Sequence, residues 1–250
     1  MEGTTAGLQQ LLVFESAPTT DPAQSNVREV ANYVSALELG FSLLDKLPIS
    51  LRLIREVHTQ LMEGVRGHEQ QPGEFRRIPN LIGHPGATPE SARFVPPPAK
   101  EMHEALENLE QFVGERRSNL PFLIQLALVH YQFEAIHPFM DGNGRLGRLL
   151  IALQLREREY LSQPLLYLGA YFERHNDAYR DHLLNVSRSG AWNEWIDFFL
   201  RGVADQAHYT AQRSYRLDSW AYSSNITRGH SRPADPETLP DWSSFCSRDQ

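Results

Sequence analysis

The chain has 250 residues, a formal net charge of −7 and 41% hydrophobic residues, enough apolar material for one large domain or two small ones. Its basic residues are scattered, which removes the footprint that nucleic acid requires; no stretch approaches the about 20 apolar residues that span a bilayer, and MEGTTAGLQQ lacks signal-peptide order. The one cysteine, Cys246, excludes an internal disulfide and a cysteine-based zinc cluster, so the sequence reads as cytoplasmic, with neither nucleic acid nor membrane as partner.

Val27, Val30, Val34, Leu37, Phe41 and Leu44 fall at steps of three and four, predicting an amphipathic helix with a start near Asp21-Pro22. Leu51, Ile54, Val57, Leu61 and Met62 predict a second helix, ending near Gly64 and Gly67, and a third spans 98–114. Between them, residues 72–98 are rich in proline and glycine around two apolar pieces, Asn80–Gly83 and Ala92–Val95, the pattern of a β-hairpin or ordered loop. Residues 120–136, LPFLIQLALVHYQFEAI, are apolar on almost every side and predict the central buried helix, stopped by Pro138. A new helix follows Gly142-Asn143-Gly144, and helices are expected over 166–186 and 191–207. Residues 208–250 hold eight serines, three prolines and only three of Leu, Ile or Val, so they are expected to form a disordered tail. The architecture is therefore mainly α with one hairpin.

The chemistry concentrates in IHPFMDGNGRLGRLL, residues 136–150. A helix N-terminus exposes unpaired backbone N–H groups and partial positive charge, and Gly142, Asn143 and Gly144 stand where a phosphate would bind. Arg145 and Arg148 share the first turn and suit bidentate phosphate contacts, Asp141 offers the hard oxygen that Mg²⁺ takes, and the His137 imidazole is a base near neutral pH. Neither a GxxxxGK[ST] loop nor a GxGxxG after a strand is present, so the phosphate site is of another type. A metal hydrolase built on His130, Glu134 and His137 fits poorly, because a spacing of seven does not put both histidines on one helical face.

HPFMDGNGRLGR, His137 to Arg148, resembles the HPFx[D/E]GNGRxxR signature of the Fic (Fic/Doc) family at every fixed position. The resemblance runs from Met1 to Ala207 and includes FRRIPNLIG and ARFVPPP, similar to the family's flap, and HYQFEAIHPF before the loop. It implies a Fic-type helical domain over 27–207, with a β-hairpin flap at 74–95 and an active-site loop at 137–148. The activity implied is protein adenylyltransfer: AMP passes from ATP to a Ser, Thr or Tyr hydroxyl of a target protein and pyrophosphate leaves.

In that scheme His137 is the general base and Asp141 holds Mg²⁺. Gly142, Asn143 and Gly144 form the anion nest with Asn143 near the α-phosphate, Arg145 contacts the phosphates and Arg148 the γ-phosphate. The flap, with Glu74, Phe75, Arg76, Ile82 and Gly83, offers an edge to the target, and Tyr171 and Tyr179 are candidates to stack on adenine. Where some members carry Tyr and Asn, this chain has Arg180 and Ser187.

Many members also carry [S/T]xxxE[G/N] on a preceding helix, whose Glu pairs with the second signature arginine and inhibits. Glu2-Gly3 matches the end of that motif without its start, so residues 1–26 read as a regulatory remnant with weakened inhibition. The chain reads as shortened at both ends. Self-modification and a homodimer stay open. So do other readings: transfer of another phosphate-bearing group, removal of AMP, or a non-catalytic nucleotide-binding protein left by truncation.

Overall fold

The computed structural model describes residues 25–65, 71–84, 86–115 and 119–226, apart from the side chains of 25–26 and 215–226. Eight helices follow in order among these residues: α1 (Ser25–Leu44), α2 (Leu51–Leu61), α3 (Ala99–Gly114), α4 (Phe122–Ile136), α5 (Asn143–Glu157), α6 (Gly169–Arg174), α7 (Asn176–Ser189) and α8 (Trp192–Ile226). The chain divides into two units, one ending at Ala207 and one starting at His208.

The pair α4 and α5 organises the first unit. Val129, Phe133 and Ile136 of α4 and Leu146, Leu149, Leu150 and Leu153 of α5 join one buried cluster with α2 and α3. Leu126, Ala127 and Tyr131 of α4 and Ile151 and Leu155 of α5 join a second, with Phe172, Trp195 and Phe199. A helix that faces a core on each side must be apolar nearly all round, which is why 120–136 shows no amphipathic stripe. Twelve of the fifteen residues of α5 are buried, so the loop between α4 and α5 leads into a helix enclosed on nearly every side. Helix α1 approaches α5 so closely that a Cβ on Gly40 would lie 2.7 Å from Leu153 Cδ2. Its contact face centres on Ala36, and Val34, expected on that face, is exposed.

Three expectations are corrected. Residues 166–186 do not form one helix, because the chain breaks at His175 (φ −116°, ψ 35°) between α6 and α7. Among the described residues of 74–95 no strand forms: the two apolar pieces pair at the antiparallel bridge Ile82–Phe94, through N–H···O bonds of 3.0 and 3.1 Å. Pro79, Pro85, Pro89 and Pro96 flank that pair and donate no ladder hydrogen bonds, which confines the pairing. Residues 208–226, expected to be disordered, are the end of α8. The three prolines of 208–250 all lie beyond residue 232, so an average over the whole segment hides a proline-free stretch with Ala, Gln and Arg that suits a helix.

Candidate active site

The α4–α5 loop is built around two left-handed residues. His137, at the C-cap of α4, has φ 49° and ψ 61°, a conformation that costs a non-glycine residue about 1 kcal/mol or more and needs support from its surroundings. Gly142, at the N-cap of α5, has φ 79° and ψ 0°; a Cβ there would also lie 2.6 Å from Met62 Sδ and 3.2 Å from His58 Nε2. Only glycine satisfies both demands.

Three polar side chains fasten the loop. Asn143, 2% exposed, accepts from the Phe139 N–H (2.9 Å) and donates to the Phe139 carbonyl (2.8 Å). Asn80 donates to the Phe139 and Met140 carbonyls at 2.9 and 3.1 Å. His58 stacks on Phe139 with ring centroids 3.7 Å apart. The Gly73 N–H donates to its Nδ1 (2.8 Å), so Nε2 carries the hydrogen and donates to the Asp141 carbonyl (3.0 Å). Burial, chiefly, pushes the His58 pKa down to about 4, which keeps the ring in this neutral form.

His137 lies 3.3 Å through Nδ1 from the Glu134 carbonyl. A carbonyl only accepts, so Nδ1 carries the hydrogen and Nε2 is the basic nitrogen. His137 borders a cavity of about 1000 Å³, which is also lined by Glu134, by Gly144 and Arg148 of α5, by Ile82 and Gly83, and by Arg180 and Ser187 of α7. Arg148 is buried, yet its Nε and Nη2 have no hydrogen-bond acceptor, so a cation in the second turn of α5 borders the cavity with donors to spare. Burial opposes its charge, but the surrounding Tyr179, Tyr167, Glu134 and Tyr33, of which Glu134 is the anion at neutral pH, outweigh that and its pKa is raised. Asp141 Oδ1 accepts from the Gly142 N–H (2.6 Å) and lies 3.7 Å from Arg145 Nη2, leaving Oδ2 for a cation.

His137, Gly144, Arg148, Ile82 and Gly83 thus come together at one cavity. Other expected residues are placed differently. The Asn143 side chain is spent on Phe139, so its contribution to an anion nest reduces to its backbone. Arg145, expected on the phosphates, turns inward between Glu29 (3.6 Å) and Asp141 and donates to Met62 Sδ (3.3 Å), because the buried Glu29 carboxylate needs a cation.

Tyr171 does not border the cavity; it is 9% exposed and packs on Phe198 and His175. Tyr179 borders it, but its ring stacks on Phe172 (4.6 Å) and its hydroxyl bonds His130 (2.9 Å). In the flap segment Glu74 is exposed and paired with Arg55, whereas Phe75 packs on Phe139 and Arg76 is 2% exposed. Phe75 is half-buried and Arg76 is buried. Glu2 lies outside the described residues.

Sequence reasoning did not assign Glu134 to the phosphate site, nor the supports His58 and Asn80, nor Tyr33 and Tyr167 beside Arg148. Only Glu134 carried a signal: a carboxylate three positions before His137 at the end of an otherwise apolar run.

The helical fold thus brings a histidine, Gly144 at the start of α5 and a buried arginine with unmet donors to one cavity beside a loop between two core helices. Residues 48–155 match the pattern of the Fic/DOC family. The chain is similar to the protein adenylyltransferase Fic of Drosophila grimshawi and that of Drosophila virilis, each 34% identical over 190 residues. These alignments cover 74% of this chain and 33% of each relative, so the chain spans about one third of their length. Among solved structures, a Fic family protein from Desulfovibrio desulfuricans G20 superposes with a TM-score of 0.69 at 22% identity, covering 86% of this chain and 62% of that one. Fic-1 from C. elegans (residues 134–508) does so with 0.62 at 21%, covering 86% and 61%. These two show the fold. Among the described residues no helix is long and apolar enough to cross a membrane, and no group of three or more His, Cys, Asp or Glu residues is placed to hold a metal on its own.

Proposed function

We propose that the chain is a protein adenylyltransferase that moves AMP from ATP to the hydroxyl of a Ser, Thr or Tyr side chain. The carrying observation is the cavity that joins the His137 imidazole to the unsatisfied Arg148 guanidinium at the N-terminus of α5. The names of the Drosophila relatives support the same reading. The target hydroxyl gives its proton to His137 Nε2 while its oxygen attacks the α-phosphorus; the bond from that phosphorus to the bridging oxygen breaks and pyrophosphate leaves. Arg148 binds the terminal phosphates, and the backbone at Asn143 and Gly144 faces the charge that develops at the α-phosphate.

Asp141 is the residue suited to Mg²⁺, which takes one carboxylate and fills its other positions with phosphate and water, and Oδ2 provides that oxygen. Bound there, the cation supplies charge neutralisation on the phosphates. The segment 74–95 receives the target: Ile78 and Val95 are exposed apolar residues and Ile82 and Gly83 reach the cavity, so a docked segment would pass close to His137. A single cysteine suits cytoplasmic work.

The test is incubation with Mg²⁺ and ATP labelled at the α-phosphate, followed by a search for label on the protein and on proteins of an extract. Label from the parent and none from His137→Ala is expected; equal label from both refutes the reading. Transfer from γ-labelled ATP instead identifies phosphotransfer.

A further inference from the structure

Arg76 is an unusual place for a charge. It is 2% exposed, and among the described residues no carboxylate forms an ion pair with it. What surrounds it is backbone carbonyl. Its Nε donates to the His137 carbonyl (2.9 Å), Nη2 to the carbonyls of Ile136 (3.3 Å) and Pro97, and Nη1 to that of Ile78 (3.3 Å). Its own backbone N–H donates to the Pro138 carbonyl (2.9 Å). Three consecutive carbonyls, 136 to 138, are thus taken by one residue where α4 ends.

The last carbonyls of a helix lack intrahelical partners and carry partial negative charge, so a buried guanidinium there replaces both the lost hydrogen bonds and the missing counter-charge. Those carbonyls belong to the turn in which His137 is left-handed. A residue in that conformation relaxes unless its neighbours fix both of its peptide planes, and Arg76 binds the carbonyl on each side of the His137 α-carbon.

We infer that Arg76 is a positioning residue for the proton transfer, setting the direction of the His137 imidazole by holding the Ile136, His137 and Pro138 carbonyls. The inference rests on His137 as the base of AMP transfer. The phosphate-facing half of the loop has other supports, Asn143, Asn80 and His58, so loss of Arg76 acts on the base and leaves nucleotide binding in place. The same guanidinium holds Ile78 and Pro97, at the two ends of the flap segment, and so ties that segment's base to the histidine.

Two variants test it, Arg76→Lys, which keeps the charge but not the planar fork, and Arg76→Met, which keeps the stem alone. Misplacing a reacting group by about 1 Å costs on the order of 10²-fold in rate. Arg76→Lys is expected to lower kcat by that order with the KM for ATP unchanged, and Arg76→Met by more. Amide exchange should quicken at His137 in both, while Phe139, held by Asn143, and Leu150 to Leu155 in α5 stay protected. A raised KM with unchanged kcat overturns the inference in favour of a docking role. Unchanged exchange at His137 also overturns it, as does faster exchange throughout α5 in both variants, which marks a merely structural residue. If the parent transfers no AMP, the reading of His137 as base has failed, and the exchange pattern alone decides whether Arg76 holds the turn.

Discussion

Lowering the pH should destabilise this fold through one buried ring. His130 is 1% exposed in the centre of α4, with Nδ1 3.2 Å from the Gly147 carbonyl and Nε2 2.9 Å from the Tyr179 hydroxyl. The carbonyl only accepts, so Nδ1 carries the hydrogen and Nε2 accepts from the tyrosine. A second proton would have to enter where Tyr179 already donates. Burial pushes the pKa down to about 3; the Gly147 carbonyl opposes the shift and the Arg148 charge adds to it. In the unfolded chain the ring titrates near its ordinary value of 6.5.

Below that value the unfolded state takes up the proton first, so the contribution is intact above pH 6.5 and is lost progressively as the pH falls toward 3. Linkage puts the loss at about 2 kcal/mol at pH 5. Urea unfolding of the parent and of His130→Gln at pH 7.5 and pH 5 isolates it, because other titrating groups act on both proteins alike. His130→Gln should be the less stable at pH 7.5, and its deficit should shrink by about 2 kcal/mol at pH 5. A deficit that does not change with pH refutes the neutral, buried assignment of His130.

Two substitutions test the loop and the cavity. Gly142→Ala meets a left-handed φ and the Met62 and His58 contacts together and should cost about 2–4 kcal/mol, whereas Gly86→Ala has a similar φ (+80°) with nothing within 4 Å of the added Cβ and should cost about 1 kcal/mol; equal falls in Tm would show that contact is irrelevant. Arg148→Met removes a buried cation that Glu134 and the neighbouring tyrosines favour, so Tm should fall, and affinity for a non-hydrolysable ATP analogue, read by calorimetry, should fall at least tenfold. A fall in Tm with unchanged affinity would refute its role at the cavity.

Much of the fold was legible because its helices announce themselves. The apolar run 120–136 could only be a central helix, and the glycine-led start of α5 located the loop. The break at His175 was hidden because no proline or glycine marks it. The paired strands expected at 74–95 failed for a reason visible in the residues, the prolines around a single viable pair. At the site, residue type revealed the chemistry but not the direction of side chains. Arg145 and Arg148 look equivalent in sequence, yet Glu29, far away in α1, draws one inward and leaves the other at the cavity. Tyr171 and Tyr179 are alike as candidates in sequence, but Tyr171 packs on Phe198 away from the cavity, whereas Tyr179 borders it with its hydroxyl bonded to His130. Arg76 looked like a surface residue of a flap, and only the assembled end of α4 shows why a cation is buried there.

The lone Ile82–Phe94 bridge has a consequence for change over time. Residues 83 to 93 form an excursion closed by two hydrogen bonds, with open space around Gly86 and no ladder to keep in step. Insertions, deletions or grafted sequence inside that excursion need not shift the α4–α5 loop, whose fastenings, His58, Arg76, Asn80 and Asn143, all lie outside it. The surface beside the cavity can therefore be rewritten while the loop behind it stays as it is.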